Sequence, residues 1–250
     1  MTLAIVAALH EELSAVLALL PDERRVSAFG REFWVGHLHG HEVVAVLSRI
    51  GKVAAATTAA IAIERFGARR IVFTGVAGGL GEGVRVGDVV VARQFAQHDM
   101  DASPLFPRHE VPLYGRTRFD TDAALGDRLA AAAQAMLADA PRTLGADTLR
   151  EFGLQQPRLH RGLVLSGDRF VATAAESAAL RSDWPDALAV EMEGAAIAQV
   201  CLDAGVPFAA VRTISDRADD AAHVDFVRFT RAVASRYSAA LIDAWLQRPG

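Results

Sequence analysis

Short, uniformly apolar runs alternate along this chain with segments whose apolar residues recur at helical spacing, and this alternation limits the possible folds more than any other feature. Leu3–Leu9 is such a run, and Glu11–Leu20 then sets Leu13, Val16, Leu17 and Leu20 on one helical stripe. Further strand-like runs occupy Phe33–Leu38 and Glu42–Leu47 around the turn His39-Gly40-His41, then Arg70–Thr74, Asp88–Val91, Gly162–Ser166, Ala187–Val190 and Phe208–Ile214. Helical spacing covers Lys52–Phe66, Asp122–Leu137, Ala174–Arg181, Glu193–Ala204 (stopped by Gly205) and Val224–Leu246. Pro141–Arg161 is polar and irregular. Strands in alternation with helices imply a largely parallel or mixed sheet covered on both faces. No repeat, low-complexity tract or linker divides residues 1–250, which read as a single α/β domain.

Composition narrows the function. A hydrophobic content of 52% in 250 residues supplies a sizeable core and excludes disorder as the main state. The net charge of −4 argues against a nucleic-acid partner, which requires a basic face. The single cysteine, Cys201, cannot form an internal disulfide, which points to a reduced, cytoplasmic protein. The N-terminus lacks a secretory signal, and the apolar segments are broken by charges before they are long enough to span a bilayer, so no membrane partner is expected.

Four segments can carry chemistry. Gly75-Val76-Ala77-Gly78-Gly79-Leu80-Gly81-Glu82-Gly83 follows a strand and reads as a glycine-rich loop, either a tight turn or a close approach of backbone to ligand. It is not a P-loop, lacking Gly-Lys-Ser/Thr, and a strand rather than a helix follows it, unlike a dinucleotide fingerprint. Val190-Glu191-Met192-Glu193-Gly194 places two carboxylates at a strand-to-helix junction in apolar surroundings, where a charge is costly unless bonded. Arg212-Thr213-Ile214-Ser215-Asp216 ends an apolar strand in polar groups. Ser215 and Asp216 suit a cap as well as proton transfer, whereas Arg212 within the strand needs an anion, Glu193 or Glu191. Glu11-Glu12 follows the first strand and would serve equally as an ordinary helix start. All four lie after strands, the edge at which α/β sheets bind ligands, so one crevice can collect them.

In this order the segments resemble the purine nucleoside phosphorylase superfamily, and within it the 5′-methylthioadenosine/S-adenosylhomocysteine nucleosidases. The resemblance rests on Ala7–Glu12, Ile50–Ala55, Thr74–Leu80, Val86-Gly87-Asp88, Ser166–Phe170, Val190–Glu193 and Arg212–Asp216, and spans nearly the whole chain apart from roughly residues 99–118 and 139–160. It implies a three-layer αβα sandwich with a mixed, partly barrel-like central sheet, a homodimer, and hydrolysis of an adenine nucleoside without metal or organic cofactor. It also implies roles. Asp216 would act as acid at N7 of adenine, oriented by Ser215, and Glu12 would activate water. Glu193 would bind the ribose hydroxyls, held by Arg212, with Glu191 beside it. Met192 would pack on the sugar, Phe170 on adenine, and the Val171 backbone would read the base edge. Ala77 and Gly78 would line the sugar site, Ile50 and Phe226 the 5′ end, and Phe106 and Pro112 would reach a neighbouring subunit's pocket.

The chain departs from that pattern at Val76, in place of serine, and at Leu9, in place of methionine. It departs again at His10, in place of glutamate, at Arg49, in place of glycine, and through Gln97–Phe106. Arg49 keeps open a phosphate-dependent phosphorylase, although Gly75–Leu80 contains no arginine and Glu12 would repel phosphate. A non-catalytic nucleoside-binding protein is a further alternative. His37, His39 and His41 alternate along one strand face without an accompanying cysteine or carboxylate pattern, which disfavours a metal site. Cys201 reads as a packing residue.

Overall fold

A computed structural model describes residues 1–219 and 226–247. The first strand, β1 (Leu3–Ala7), is buried at every position, as a strand covered on both faces must be. Its two faces feed two cores. Leu3, Ile5 and Ala7 pack with Leu13 and Val16 of α1 (His10–Leu17), Leu129 and Ala133 of α3 (Ala123–Ala138), and Leu241 and Trp245 of α9 (Ser235–Gln247). Ala4 and Val6 face Ala55, Ala59 and Ala62 of α2 (Lys52–Phe66), together with Ile197 and Ala198 of α7 (Gly194–Ala204). The period-two alternation of the strand therefore builds one helical layer on each side of the sheet.

Parallel pairing sets β1 between β4 (His41–Leu47) and β5 (Arg70–Gly79). From β4 the sheet continues antiparallel through β3 (Arg31–Leu38) to β2 (Arg24–Ala28). On the other side β5 pairs both with β10 (Phe208–Asp216) and with β9 (Ala187–Glu191). The path β5-β9-β8-β6-β10, through β8 (Leu159–Ser166) and β6 (Val89–Gln97), thus returns to β5. This is a closed five-stranded mixed barrel extended by an open wing, in agreement with the expected fold class.

Four expectations need correction. The supposed glycine loop is strand as far as Gly79, because the β10 and β9 ladders engage its backbone. The edge strand β2, sequence Arg-Arg-Val-Ser-Ala, was not foreseen, since charged edge strands lack an apolar signal. The region expected to be irregular holds α4 (Ala140–Leu144) and α5 (Ala146–Glu151), each too short to show periodicity, and the start of β8. The terminal helix is not continuous: α8 (Phe226–Phe229) passes through a π-helical turn, Thr230–Ala234, into α9, and residues 224 and 225 lie outside the described residues. The remaining elements are β7 (Phe119–Asp120) and α6 (Ala174–Asp183).

Candidate active site

The glycines of β5 matter for the space they leave. A methyl group on Gly75 would stand 3.2 Å from both Glu12 Oε1 and Arg212 Nη1, and one on Gly78 would stand 3.0 Å from Asp216 Oδ1. Three polar side chains from α1 and β10 therefore crowd against a strand that has no side chains of its own at those points. Residues 75 and 78 are separated by about 10 Å of extended chain.

Glu12 is the third residue of α1, and its Oε2 reaches back to accept the Leu9 N–H at 3.1 Å, half of a capping box. The side chain is fully buried, and among the described residues Oε1 has no hydrogen-bond partner. Burial raises its pKa to about 7, against the opposing pull of Arg212 and of the Leu9, Ala8 and Val76 backbone N–H groups. A carboxylate with a free oxygen and a pKa near neutrality is suited to take a proton from water.

Glu191 ends β9, and Glu193 caps α7. Arg212 was expected to hold Glu193, but its Nη2 donates to Glu191 Oε2 at 2.7 Å, and the ion pair is buried at 1% and 3% side-chain exposure. Glu191 also accepts from the Ser166 hydroxyl and from the Gly194 N–H at 2.9 Å. Glu191 thus borders the cleft with its carboxylate engaged by Arg212, Ser166 and the start of α7. Glu193 Oε1 instead accepts the Gly51 N–H at 2.8 Å, which ties the start of α2 to that of α7. Burial, and then the charge of Glu191, push the Glu193 pKa upward.

Asp216 is the last residue of β10, just past an irregularity in the ladder to β5. Its Oδ2 accepts the Ser215 hydroxyl at 2.7 Å, and its Oδ1 accepts the Ala218 N–H at 2.8 Å. Burial raises its pKa, so it holds a proton to higher pH than an exposed aspartate.

Of the predicted residues, Ile50, Ala77, Gly78, Phe170, Val171, Glu191, Met192, Glu193, Ser215, Asp216 and Phe226 line one open cleft. Phe170 and Phe226 meet edge to face across it, with ring centroids 6.0 Å apart. Glu12 and Arg212 do not line it themselves. Ala8, Leu9 and Val76, which also form its wall, were missed because apolar wall residues carry no chemical signature. Arg169 lines the mouth and pairs with Glu176.

Phe106 and Pro112 lie outside the cleft of their own chain. Arg49 takes a left-handed backbone (φ 63°) and donates to the Gly30 carbonyl on the β2–β3 turn, so its charge is not on the cleft wall. His37 and His39 turn to different acids, Asp22 at 2.8 Å and Asp243 at 2.7 Å. Cys201 is buried in α7, which pushes its thiol up to about 12. Among the described residues no helix is long and apolar enough to cross a membrane.

The cleft and barrel define a class. The family model of the phosphorylase superfamily matches residues 2–247, and the chain belongs to that superfamily. Within it the chain is similar to the 5′-methylthioadenosine/S-adenosylhomocysteine nucleosidase of Neisseria meningitidis solved with methylthio-immucillin-A, at 33% identity over 98% of each chain and a TM-score of 0.86. It is similar to the S-adenosylhomocysteine nucleosidase of Streptococcus pyogenes solved with 5-methylthiotubericidin, at 32% identity over 99% of this chain and 96% of that one, with a TM-score of 0.83. It also resembles the futalosine hydrolase of Helicobacter pylori, at 31% identity over 98% and 97% of the two chains, with a TM-score of 0.82.

Proposed function

We propose that this protein hydrolyses the N-glycosidic bond of adenine nucleosides bearing a thio-linked 5′ substituent, releasing adenine and the free sugar. The observation that carries the reading is the pairing of two protonatable groups along β5: buried Glu12 with an unbonded oxygen at Gly75, and Asp216 with a raised pKa at Gly78. Cleavage of the C1′–N9 bond develops positive charge on the ribose and negative charge on adenine, and so calls for an acid at the base and a carboxylate near the sugar. Asp216, oriented by Ser215, supplies the proton at N7. Glu12 takes the proton of the attacking water. Glu193 accepts the ribose hydroxyls, Met192 packs beneath the sugar, Phe170 stacks on adenine, and the Val171 backbone meets the base edge. Ile50 and Phe226 enclose the 5′ group, and Ala77 and Gly78 line the sugar site.

The fixed cation nearest to Glu12 is Arg212, which is already neutralised by Glu191, and this favours water over phosphate as the nucleophile. The reading includes a cytoplasmic homodimer in which Phe106 and Pro112 of one copy complete the other's cleft. The similarity to a futalosine hydrolase supports a second reading, in which a bulkier 5′ group is the preferred substrate. Incubation with methylthioadenosine, adenosylhomocysteine, deoxyadenosine and aminofutalosine, with and without phosphate, followed by measurement of free adenine, tests both readings. Adenine release independent of phosphate supports hydrolysis. Binding without release would make the protein a nucleoside-binding module.

A further inference from the structure

The Val86-Gly87-Asp88 motif lies outside the cleft, yet it is bonded to the strand that carries Asp216. Gly87 has φ +88°, the Asp88 N–H donates to Arg85 O at 3.0 Å, and together these make a tight turn. The Gly87 N–H donates to Ile214 O at 2.8 Å, and the Ile214 N–H donates to Asp88 O at 2.8 Å. Two residues thus oppose one, a β-bulge with glycine at its left-handed position, where β6 meets β10. A side chain at Gly87 would be strained by that φ, and its Cβ would stand 2.6 Å from Leu154 Cδ2.

The Asp88 side chain locks this bulge. It is 2% exposed, and its carboxylate accepts from the Arg85 N–H at 3.0 Å, the Arg158 N–H at 2.8 Å and His160 Nε2 at 2.7 Å. The first bond closes the turn, and the other two anchor it to the start of β8. Ile214 is also where the β10–β5 register shifts, between Ile214 and Asp216.

We infer that Asp88, with His160, is a positioning residue for Asp216: it clamps Ile214 through the bulge and so fixes where the end of β10 presents the Ser215–Asp216 pair. This inference rests on the proposed acid role of Asp216. A residue two positions from the acid is held on both its N–H and its C=O by a turn whose own geometry depends on one carboxylate. Asn at position 88 keeps the volume but loses one of the acceptor oxygens on which three donors converge, so the turn relaxes.

The test compares wild type, Asp88→Asn and Asp122→Ala. Asp122 caps α3 through the Leu125 N–H at 2.8 Å and touches nothing in the cleft. Its backbone N–H donates to Phe208 O at the opposite end of β10, a bond that alanine keeps, so loss of the side chain lowers Tm while the Ser215–Asp216 end of β10 stays in place. With methylthioadenosine at 25 °C, below every Tm, D88N should lose about 10- to 100-fold in kcat with KM within about threefold, whereas D122A keeps kcat within about twofold. Amide exchange should accelerate at Ile214 in D88N while Val211, paired in the regular ladder, stays protected. A D88N kcat within about twofold of wild type, or unchanged Ile214 exchange, overturns the inference. Should wild type release no adenine, the proposed function fails, and Ile214 exchange alone still decides whether Asp88 sets this strand end.

Discussion

Arg212 pairs with Glu191, not with Glu193 two residues further on, and the 2.7 Å contact is buried beneath the cleft with the guanidinium carbon 3.6 Å from the Phe73 ring centroid. The pair engages Glu191, while Glu193 bonds the Gly51 N–H and also lines the cleft. Removal of either partner strands a buried charge. Arg212→Ala is therefore expected to destabilise the protein by about 3–5 kcal/mol. Chemical denaturation measures it, and a loss below about 1 kcal/mol would show that the pair is not a structural anchor.

Glu12→Gln should lower kcat by about 10²–10⁴-fold while adenine still binds, because the variant keeps the side chain's shape but cannot accept a proton. Steady-state assay with a parallel adenine titration checks it. Unchanged turnover removes Glu12 from the mechanism.

The pH dependence follows from the Glu12 pKa near 7. As the base, Glu12 works only when ionised, so kcat/KM should climb as pH rises towards about 7. Asp216, as the acid, works only when protonated and draws kcat/KM down at higher pH, so the profile should pass through a maximum. Stability runs the other way. The folded pKa lies above the ordinary glutamate value of 4.5, so the folded state binds the proton more tightly than the unfolded state does. Stability is full below about pH 4.5 and is lost as pH rises through about 7, by about 3 kcal/mol for this group. Glu12→Gln should therefore match wild type near pH 4.5 and exceed it at pH 8 in denaturant titrations. Equal stability at both pH values would contradict the burial of a titrating Glu12.

Gly75→Ala forces a methyl group into the 3.2 Å gap beside Glu12 and Arg212. It should cost about 1–3 kcal/mol by overpacking and reduce turnover together with stability. Thermal unfolding and adenine release, measured on one preparation, test the two effects together. A variant as stable and active as wild type would mean that this strand tolerates side chains.

Much of this arrangement is legible in the residues. The junction at Glu191 and Glu193, the polar strand end at Ser215 and Asp216, and the need of Arg212 for an anion are local signals, and the structure gathers them at one cleft. Which glutamate meets Arg212 is not local. It depends on how β9 and β10 lie across β5, a three-dimensional register that a two-residue spacing does not encode. The glycines after Thr74 look like a loop because strand propensity is read from side chains, whereas here backbone ladders hold the strand and absent side chains make room for carboxylates. Arg49 shows the opposite failure: a charge beside Ile50 in sequence is turned by its backbone towards Gly30.

Asp216→Asn should cut kcat by about 10²-fold or more and leave nucleoside binding intact, since the amide still hydrogen-bonds but cannot deliver a proton. Calorimetric binding beside turnover measures the split. Loss of binding in step with turnover would make Asp216 a binding group alone.

The central claim is that water, readied by Glu12, is the nucleophile. Turnover of methylthioadenosine in ¹⁸O-labelled water, with phosphate present, tests it most directly by mass spectrometry of the sugar product. The account predicts one labelled oxygen in a free sugar and an adenine yield unaffected by phosphate. An unlabelled sugar 1-phosphate formed only when phosphate is added would contradict it.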